Sequence, residues 1–242
     1  MIETFTYREV FPESILGKYD FLEIGSAARI AQATSPDALA DIVDVLDKID
    51  ITYDLIMSPG GSRGPLVRIV DGMFHSRGWV EARVDLAQTV YLFKDQPKDD
   101  INAEHDPDAH KDKVIGGGYS IGYSIDNYKQ RIALDCEWNA KDGNLDRDFA
   151  AFRAWHRAEV IDAAFLFTRT NKDMQALLKS AWADYFALHP QMKGKVAETA
   201  LGTSTTTNWD KARPRIVRGD LDTCPLLMIA VKPSTITPGS MS

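Results

Sequence analysis

SIDNYKQRIALDCEWNAKDGNLDRD, residues 124–148, decides the fold. Its centre, 131–138, alternates in polarity. Ile132, Leu134, Cys136 and Trp138 are apolar, whereas Arg131, Ala133, Asp135 and Glu137 occupy the intervening positions. Successive side chains of a β-strand point to opposite faces, so this pattern predicts a strand with one apolar face. Asp135 and Glu137 then project from the same surface, roughly 7 Å apart along the strand. Asp126 is a third acid, which a hairpin or bend could bring to the same place. Carboxylates held together on a half-buried strand repel one another unless a cation sits among them. Hard oxygen ligands, few in number, suit Mg2+.

Outward from this strand the pattern is that of an α/β protein. Asn144 can cap a helix that runs to Arg157, with Leu145, Phe149, Phe152 and Trp155 or His156 on its buried side. Asp146 and Asp148 fall in its first turn, where acids favour the helix dipole. The nearly continuous apolar run 160–168 (VIDAAFLFT) predicts a strand buried on both faces. From Asn171 a second helix follows, with Met174, Leu177, Leu178, Ala181, Trp182, Tyr185 and Phe186 at helical spacing. Residues 189–202 read as a connection. They lead to the hydroxyl run Thr203–Thr207 and the basic segment Lys211, Arg213, Arg215 and Arg218. Residues 225–231 (PLLMIAV) predict a last buried strand, and 233–242 a disordered tail.

On the amino-terminal side, 19–30 is compatible with a short strand or a helix. Ser35-Pro36-Asp37 opens a helix: Ser35 can cap, Pro36 suits the first helical position and Asp37 favours the dipole. Leu39, Ile42, Val43, Leu46 and Ile49 form its apolar stripe. Pro59-Gly60-Gly61-Ser62 reads as a turn before a helix over 65–76, since it lacks the spacing and the Lys-Ser/Thr of a phosphate-binding loop. Residues 79–93 predict one or two strands. The stretch 94–113 is rich in Asp, Lys, Pro and His and reads as a surface insertion, with His105 and His110 as loop histidines. The expectation is one α/β domain over 1–232, a mixed sheet flanked by helices, with an insertion at 94–118.

Composition narrows the function classes. No run of about 18 apolar residues suggests a membrane span. The start, MIETFTYREVFPES, lacks the charged-then-apolar pattern of a signal peptide. The two cysteines, Cys136 and Cys224, sit in apolar runs and read as buried core thiols. A cytoplasmic protein is expected. The formal net charge of −7 speaks against a general nucleic-acid coat protein, yet leaves room for a DNA enzyme with a locally basic cleft. From the residues alone, the acids suit a metal site, the acid/base pair of a glycosidase, or a structural acidic ridge on a binding protein.

Asp126, eight intervening residues, Asp135, one residue and Glu137 together resemble the PD-(D/E)xK nuclease motif. The longer string ALDCEWNAKDGNLDRDFAAFRAWHRAEVIDAAFLFTR is similar to the BglII/BstYI-like group of Type II restriction endonucleases, as is STTTNWDKARPRI before the last strand. The resemblance covers about 120–232. It implies a restriction endonuclease-like fold and Mg2+-dependent hydrolysis of double-stranded DNA at a specific, palindromic site. A repair or defence nuclease of lower specificity lies within the same superfamily.

The resemblance makes Asp126 and Asp135 the metal carboxylates and gives Glu137 the position that orients the attacking water. Two departures stand out. Asp135 is shorter than the common Glu, and Glu137 stands where most of the superfamily carries a lysine. DNA contacts are expected from Asn139 and Lys141 near the cut, and from Ser204, Thr205, Thr206, Thr207, Arg213 and Arg215 for recognition. A palindromic site implies a homodimer.

Overall fold

A computed structural model describes residues 2–57, 64–92, 114–188, 190 and 206–237. They form two compact units, 1–82 with 124–242, and 83–123.

The first unit begins with β1 (Glu3–Thr4), α1 (Tyr7–Val10), α2 (Glu13–Lys18) and β2 (Tyr19–Ile24). Next come α3 (Ala27–Thr34), α4 (Pro36–Lys48), β3 (Ile51–Thr52), α5 (Tyr53–Met57), α6 (Pro65–His75) and β4 (Val80–Arg83). The second unit is a hairpin of β5 (Leu86–Tyr91) and β6 (Val114–Ser120), paired antiparallel. Most of the expected insertion, 94–113, lies outside the described residues; its last part belongs to β6. The first unit resumes with β7 (Ser124–Lys129), β8 (Ile132–Cys136), α7 (Gly143–Arg157), β9 (Ala163–Arg169), α8 (Lys172–Leu188), α9 (Trp209–Arg218) and β10 (Leu226–Val231). A 3-10 turn (Pro233–Thr235) and β11 (Ile236–Thr237) close it.

Seven strands build the central sheet in the order β1-β2-β10-β9-β8-β7-β4. β8, β9 and β10 run parallel, whereas β2 and β7 join them antiparallel, so the sheet is mixed. Parallel strands need both faces covered, and every residue of β8, β9 and β10 is buried.

The alternation read from the sequence separates the two faces. Ile132, Leu134, Cys136 and Trp138 join Phe165, Phe167, Leu227 and Ile229 in one core, packed with Ile42 and Leu46 of α4 and Val70 and Phe74 of α6. Ala133, Asp135 and Glu137 have the opposite parity and face α7. Tyr128, which pairs with Ala133, makes an edge contact at 5.6 Å with Trp155 of that helix.

The β7–β8 hairpin turns on two residues, Gln130 and Arg131, with φ of 47° and 69°. Both lie in the left-handed region, as a type I′ turn demands, and neither is glycine. Tertiary bonds hold the turn. Gln130 Oε1 accepts from Ala38 N at 3.3 Å, and Gln130 Nε2 donates to Asp37 at 3.1 Å. The Ser35 hydroxyl donates to the Gln130 carbonyl. Ser35 is therefore the residue before α4, as expected, but its side chain ties the helix start to the hairpin and caps nothing.

Three differences from the sequence reading have physical causes. Residues 19–30 hold both a strand and a helix, β2 and α3, joined by Gly25 (φ 64°) and Ser26 (φ 56°). A Cβ at Gly25 would also crowd Pro225 at 3.2 Å. The basic segment after the hydroxyl run is helix α9: Asn208 accepts from Lys211 N at 3.2 Å, and Gly219 ends it at φ 101°. Finally, disorder does not hold for 233–237, because β11 pairs in parallel with β3.

Candidate active site

Four acids meet on the α7 face of the sheet. Three were expected. Hairpin pairing sets Asp126 beside Asp135, and the Asp126 backbone N–H donates to Asp135 Oδ1 at 2.9 Å. Glu137 lies just past β8, where its N–H continues the ladder to Phe167 O at 2.8 Å. The Thr168 hydroxyl takes the Glu137 carbonyl at 2.8 Å. The backbone that presents Glu137 is thus fixed from both sides.

The fourth acid, Asp148, was read only as a first-turn dipole partner. It is 3% exposed and hydrogen-bonded to Glu137. The sequence carried a signal: Asp148 lies in the apolar stripe Leu145, Phe149, Phe152 and Trp155, where an unpaired acid is costly.

Burial governs the protonation of these groups. It raises the Asp135 carboxyl well above the usual range, and the charges of Asp148 and Asp126 push it further. Burial together with Asp148 raises Glu137 to about 9. Asp148 is raised by burial to about 6, with Arg147 and the bond from Glu137 opposing the rise. Burial and the neighbouring Asp148 thus favour the protonated form of Glu137.

Arg147 grips the edge of the cluster, with Nε and Nη2 at 3.3 and 3.2 Å from Asp148 Oδ1. Glu137 Oε2 and Asp148 Oδ2 are buried and receive no hydrogen bond from a nitrogen or hydroxyl.

The donor set fits a hard divalent cation. It consists of carboxylate oxygens, two of them orphaned, in a place where their charges are otherwise suppressed. Among the described residues, no three His, Cys, Asp or Glu side chains already converge in ligating geometry.

A sequence model of the family described as Restriction endonuclease BglII/BglIII matches residues 19–231. The chain belongs to this family. No curated protein matches it. BglII/BglIII family membership accounts for the mixed sheet flanked by helices and makes the chain a DNA-cleaving nuclease. A restriction endonuclease family does not fit the glycosidase reading. No helix among the described residues is long and apolar enough to cross a membrane.

The residues expected to touch DNA are placed unequally. Lys141 is exposed and bridges to Thr206, and Thr207 N donates to Ala140 O at 2.9 Å. The segment with Thr206 and Thr207 thus runs beside the loop after the active strand. The Thr206 hydroxyl accepts from Arg169 Nη2 at 3.2 Å, whereas the Thr207 hydroxyl is buried without a partner. Asn139 Oδ1 is likewise buried and unpartnered. Ser204 and Thr205 lie outside the described residues, as do His105 and His110.

On α9, Arg213 is half-exposed and pairs with Glu3 at 3.1 Å. Arg215 is only 17% exposed and is held by Asp142 at 3.0 Å and Asp146 at 2.7 Å. It ties α9 to the start of α7.

Arg169 was not singled out in the sequence. Fully buried, it donates to Trp138 O at 3.1 Å, Thr170 O at 3.2 Å and Thr206. It joins the end of the active strand to the segment that leads into α9. Burial lowers its pKa to about 10.

Proposed function

We propose that this protein is a Mg2+-dependent Type II restriction endonuclease that acts as a cytoplasmic homodimer. It hydrolyses phosphodiester bonds in double-stranded DNA at a specific palindromic site. The observation that carries this reading is the meeting of Asp126, Asp135, Glu137 and Asp148 on one face of the sheet in a chain of the BglII/BglIII family.

In this reading Asp126 and Asp135 hold Mg2+, with the orphaned oxygens of Glu137 and Asp148 as further donors. A bound Mg2+ polarises the scissile phosphate and lowers the pKa of a water. Glu137 orients the attacking water for in-line displacement. To accept a proton it must first lose the one that burial and Asp148 favour on it. Thr168 and the Phe167 carbonyl keep the Glu137 backbone from moving as this happens. The Arg169 bonds hold the neighbouring loop in register with the strand. The products carry a 5′-phosphate and a 3′-hydroxyl.

Lys141 and Arg213 provide exposed cations for the phosphate backbone, and Asn139 lies on the loop after the active strand, beside the segment that holds Thr206 and Thr207. Two-fold symmetry of a palindromic site asks for two copies of the chain.

The test is to incubate the protein with Mg2+ and phage DNA and to sequence the fragment ends. One repeated, self-complementary sequence at every end supports the proposal. Random ends indicate a nuclease of lower specificity, and intact DNA contradicts the assignment.

A further inference from the structure

We infer that Arg147, on helix α7, is a catalytic residue: its guanidinium contacts the scissile phosphate and supplies the positive charge that Glu137, standing where a lysine is usual, cannot. This inference rests on the nuclease reading of the carboxylate cluster.

Glu137 stands just past β8 as an acid, and the one cation of the 131–138 stretch, Arg131, sits at the hairpin turn paired with Asp162 at 2.7 Å. Hydrolysis of a phosphodiester adds negative charge to the non-bridging oxygens as the nucleophile arrives, and fixed positive charge aimed there is a strong accelerator. The question is where this chain keeps such a charge.

Arg147 answers on geometry. It neighbours Asp148 in sequence, and Nε and Nη2 both bind Asp148 Oδ1, at 3.3 and 3.2 Å. The guanidinium is therefore anchored to the one acid that bonds Glu137. Its side chain is nevertheless 57% exposed, against 3% for Asp148. The group lies at the solvent-facing edge of a buried site, where a DNA phosphate must approach. Among the described residues, Nη1 makes no hydrogen bond, so a donor remains for a phosphate oxygen. An arginine presents its five donors in a rigid fork that matches phosphate oxygens.

The electrostatics agree. Arg147 favours the ionised form of Asp135, Glu137 and Asp148 alike. Burial disfavours its own charge, yet Asp148, Glu137 and Asp135 outweigh that and keep it protonated. The other arginines near the site are committed elsewhere. Arg169 is fully buried on Trp138 O and Thr206, and Arg215 is held by Asp142 and Asp146.

The test uses the full-length protein and a duplex carrying its cleavage site, under single-turnover conditions with Mg2+. Arg147→Met keeps the length of the stem and removes the charge; Arg147→Lys restores a charge without the fork. DNA affinity is measured in parallel in Ca2+, and the cleavage rate is recorded across Mg2+ concentration.

The expected result is a cleavage rate about 100-fold lower for Arg147→Met, by analogy with loss of one transition-state donor. DNA affinity should stay within about threefold, the half-saturating Mg2+ concentration should not change, and Arg147→Lys should recover at least about a tenth of the lost rate. A Met variant that cuts as fast as wild type overturns the inference and leaves the nuclease reading standing. So does a loss that excess Mg2+ repairs, because Arg147 would then only be holding Asp148 in place. A loss carried entirely by weaker DNA binding overturns it as well. Wild-type protein that fails to cut at all overturns the nuclease reading itself.

Discussion

Glu137, at the end of the active strand, and Asp148, in the second turn of helix α7, meet side chain to side chain across the face of the sheet, and burial raises both carboxyls above the usual range. Both are almost fully buried. The pair forms because the hairpin sets the strand's acid parity toward α7, while Asp148 occupies a position in that helix's apolar stripe. Two buried acids side by side without a bound cation cannot both be ionised at low cost.

The pair makes the metal-free protein less stable as pH rises. An acid whose pKa is raised on folding binds its proton more tightly when folded. Its contribution to stability is thus complete below the unfolded pKa and is lost on the way up to the folded one. For Glu137 this window runs from the unfolded value, roughly 4.3, to about 9 in the folded protein. Within it the slope approaches about 1.4 kcal/mol per pH unit for a single group. Chemical denaturation of Glu137→Gln at several pH values in EDTA should show a flatter profile than wild type and higher stability at pH 8. Parallel profiles for the two proteins would mean that Glu137 is ionised in the folded state.

Arg169 should be indispensable to the fold near the site. Its guanidinium serves Trp138 O, Thr170 O and the Thr206 hydroxyl in a fully buried setting. Arg169→Met fills the volume but strands these acceptors, at a cost of roughly 2–4 kcal/mol. Urea unfolding measures this directly. A loss below about 0.5 kcal/mol would show that the loop after the active strand is held by other contacts.

The two arginines of α9 should separate on mutation. Among the described residues Arg213 pairs with Glu3 alone, and it is half-exposed, an ion pair of small worth. Arg213→Ala should weaken specific DNA binding by roughly 1–3 kcal/mol with little change in melting temperature. Arg215 spans to Asp142 and Asp146 and is mostly covered, so Arg215→Ala should lower stability and affect DNA affinity through the placement of α9. Fluorescence anisotropy with a cognate duplex, paired with thermal melts, checks both. Unchanged affinity for Arg213→Ala would remove it from the recognition surface.

Much of this was legible in the chain. The alternation at 131–138 identified the strand and its faces, because a sheet covered on one side by apolar helices and on the other by a polar site leaves a period-two signature. The runs at 160–168 and 225–231 marked the parallel strands buried on both faces. Asp126 could be placed beside Asp135 only as a possibility. The two left-handed turn residues, Gln130 and Arg131, carry no turn signature in sequence, and bonds from Asp37, Ala38 and Ser35 hold them there.

What escaped the reading depended on tertiary pairing. Asp148 looked like an ordinary helix-start acid until α7 was laid on the sheet. Helix α9 was hidden by Pro214 and by its composition, since only Ala212 and Ile216 are buried along it. Arg169, at the end of an apolar run, read as a strand boundary, whereas its acceptors come from segments 31 and 37 residues away.

The most direct test of the assignment is Asp135→Asn. The change keeps the shape of the side chain, including an oxygen to accept from the Asp126 amide, and removes the carboxylate. With Mg2+ and a DNA substrate that the wild type cuts, the variant should leave the DNA intact while still binding it with near-wild-type affinity. Cleavage by Asp135→Asn at the wild-type rate would place the active site elsewhere.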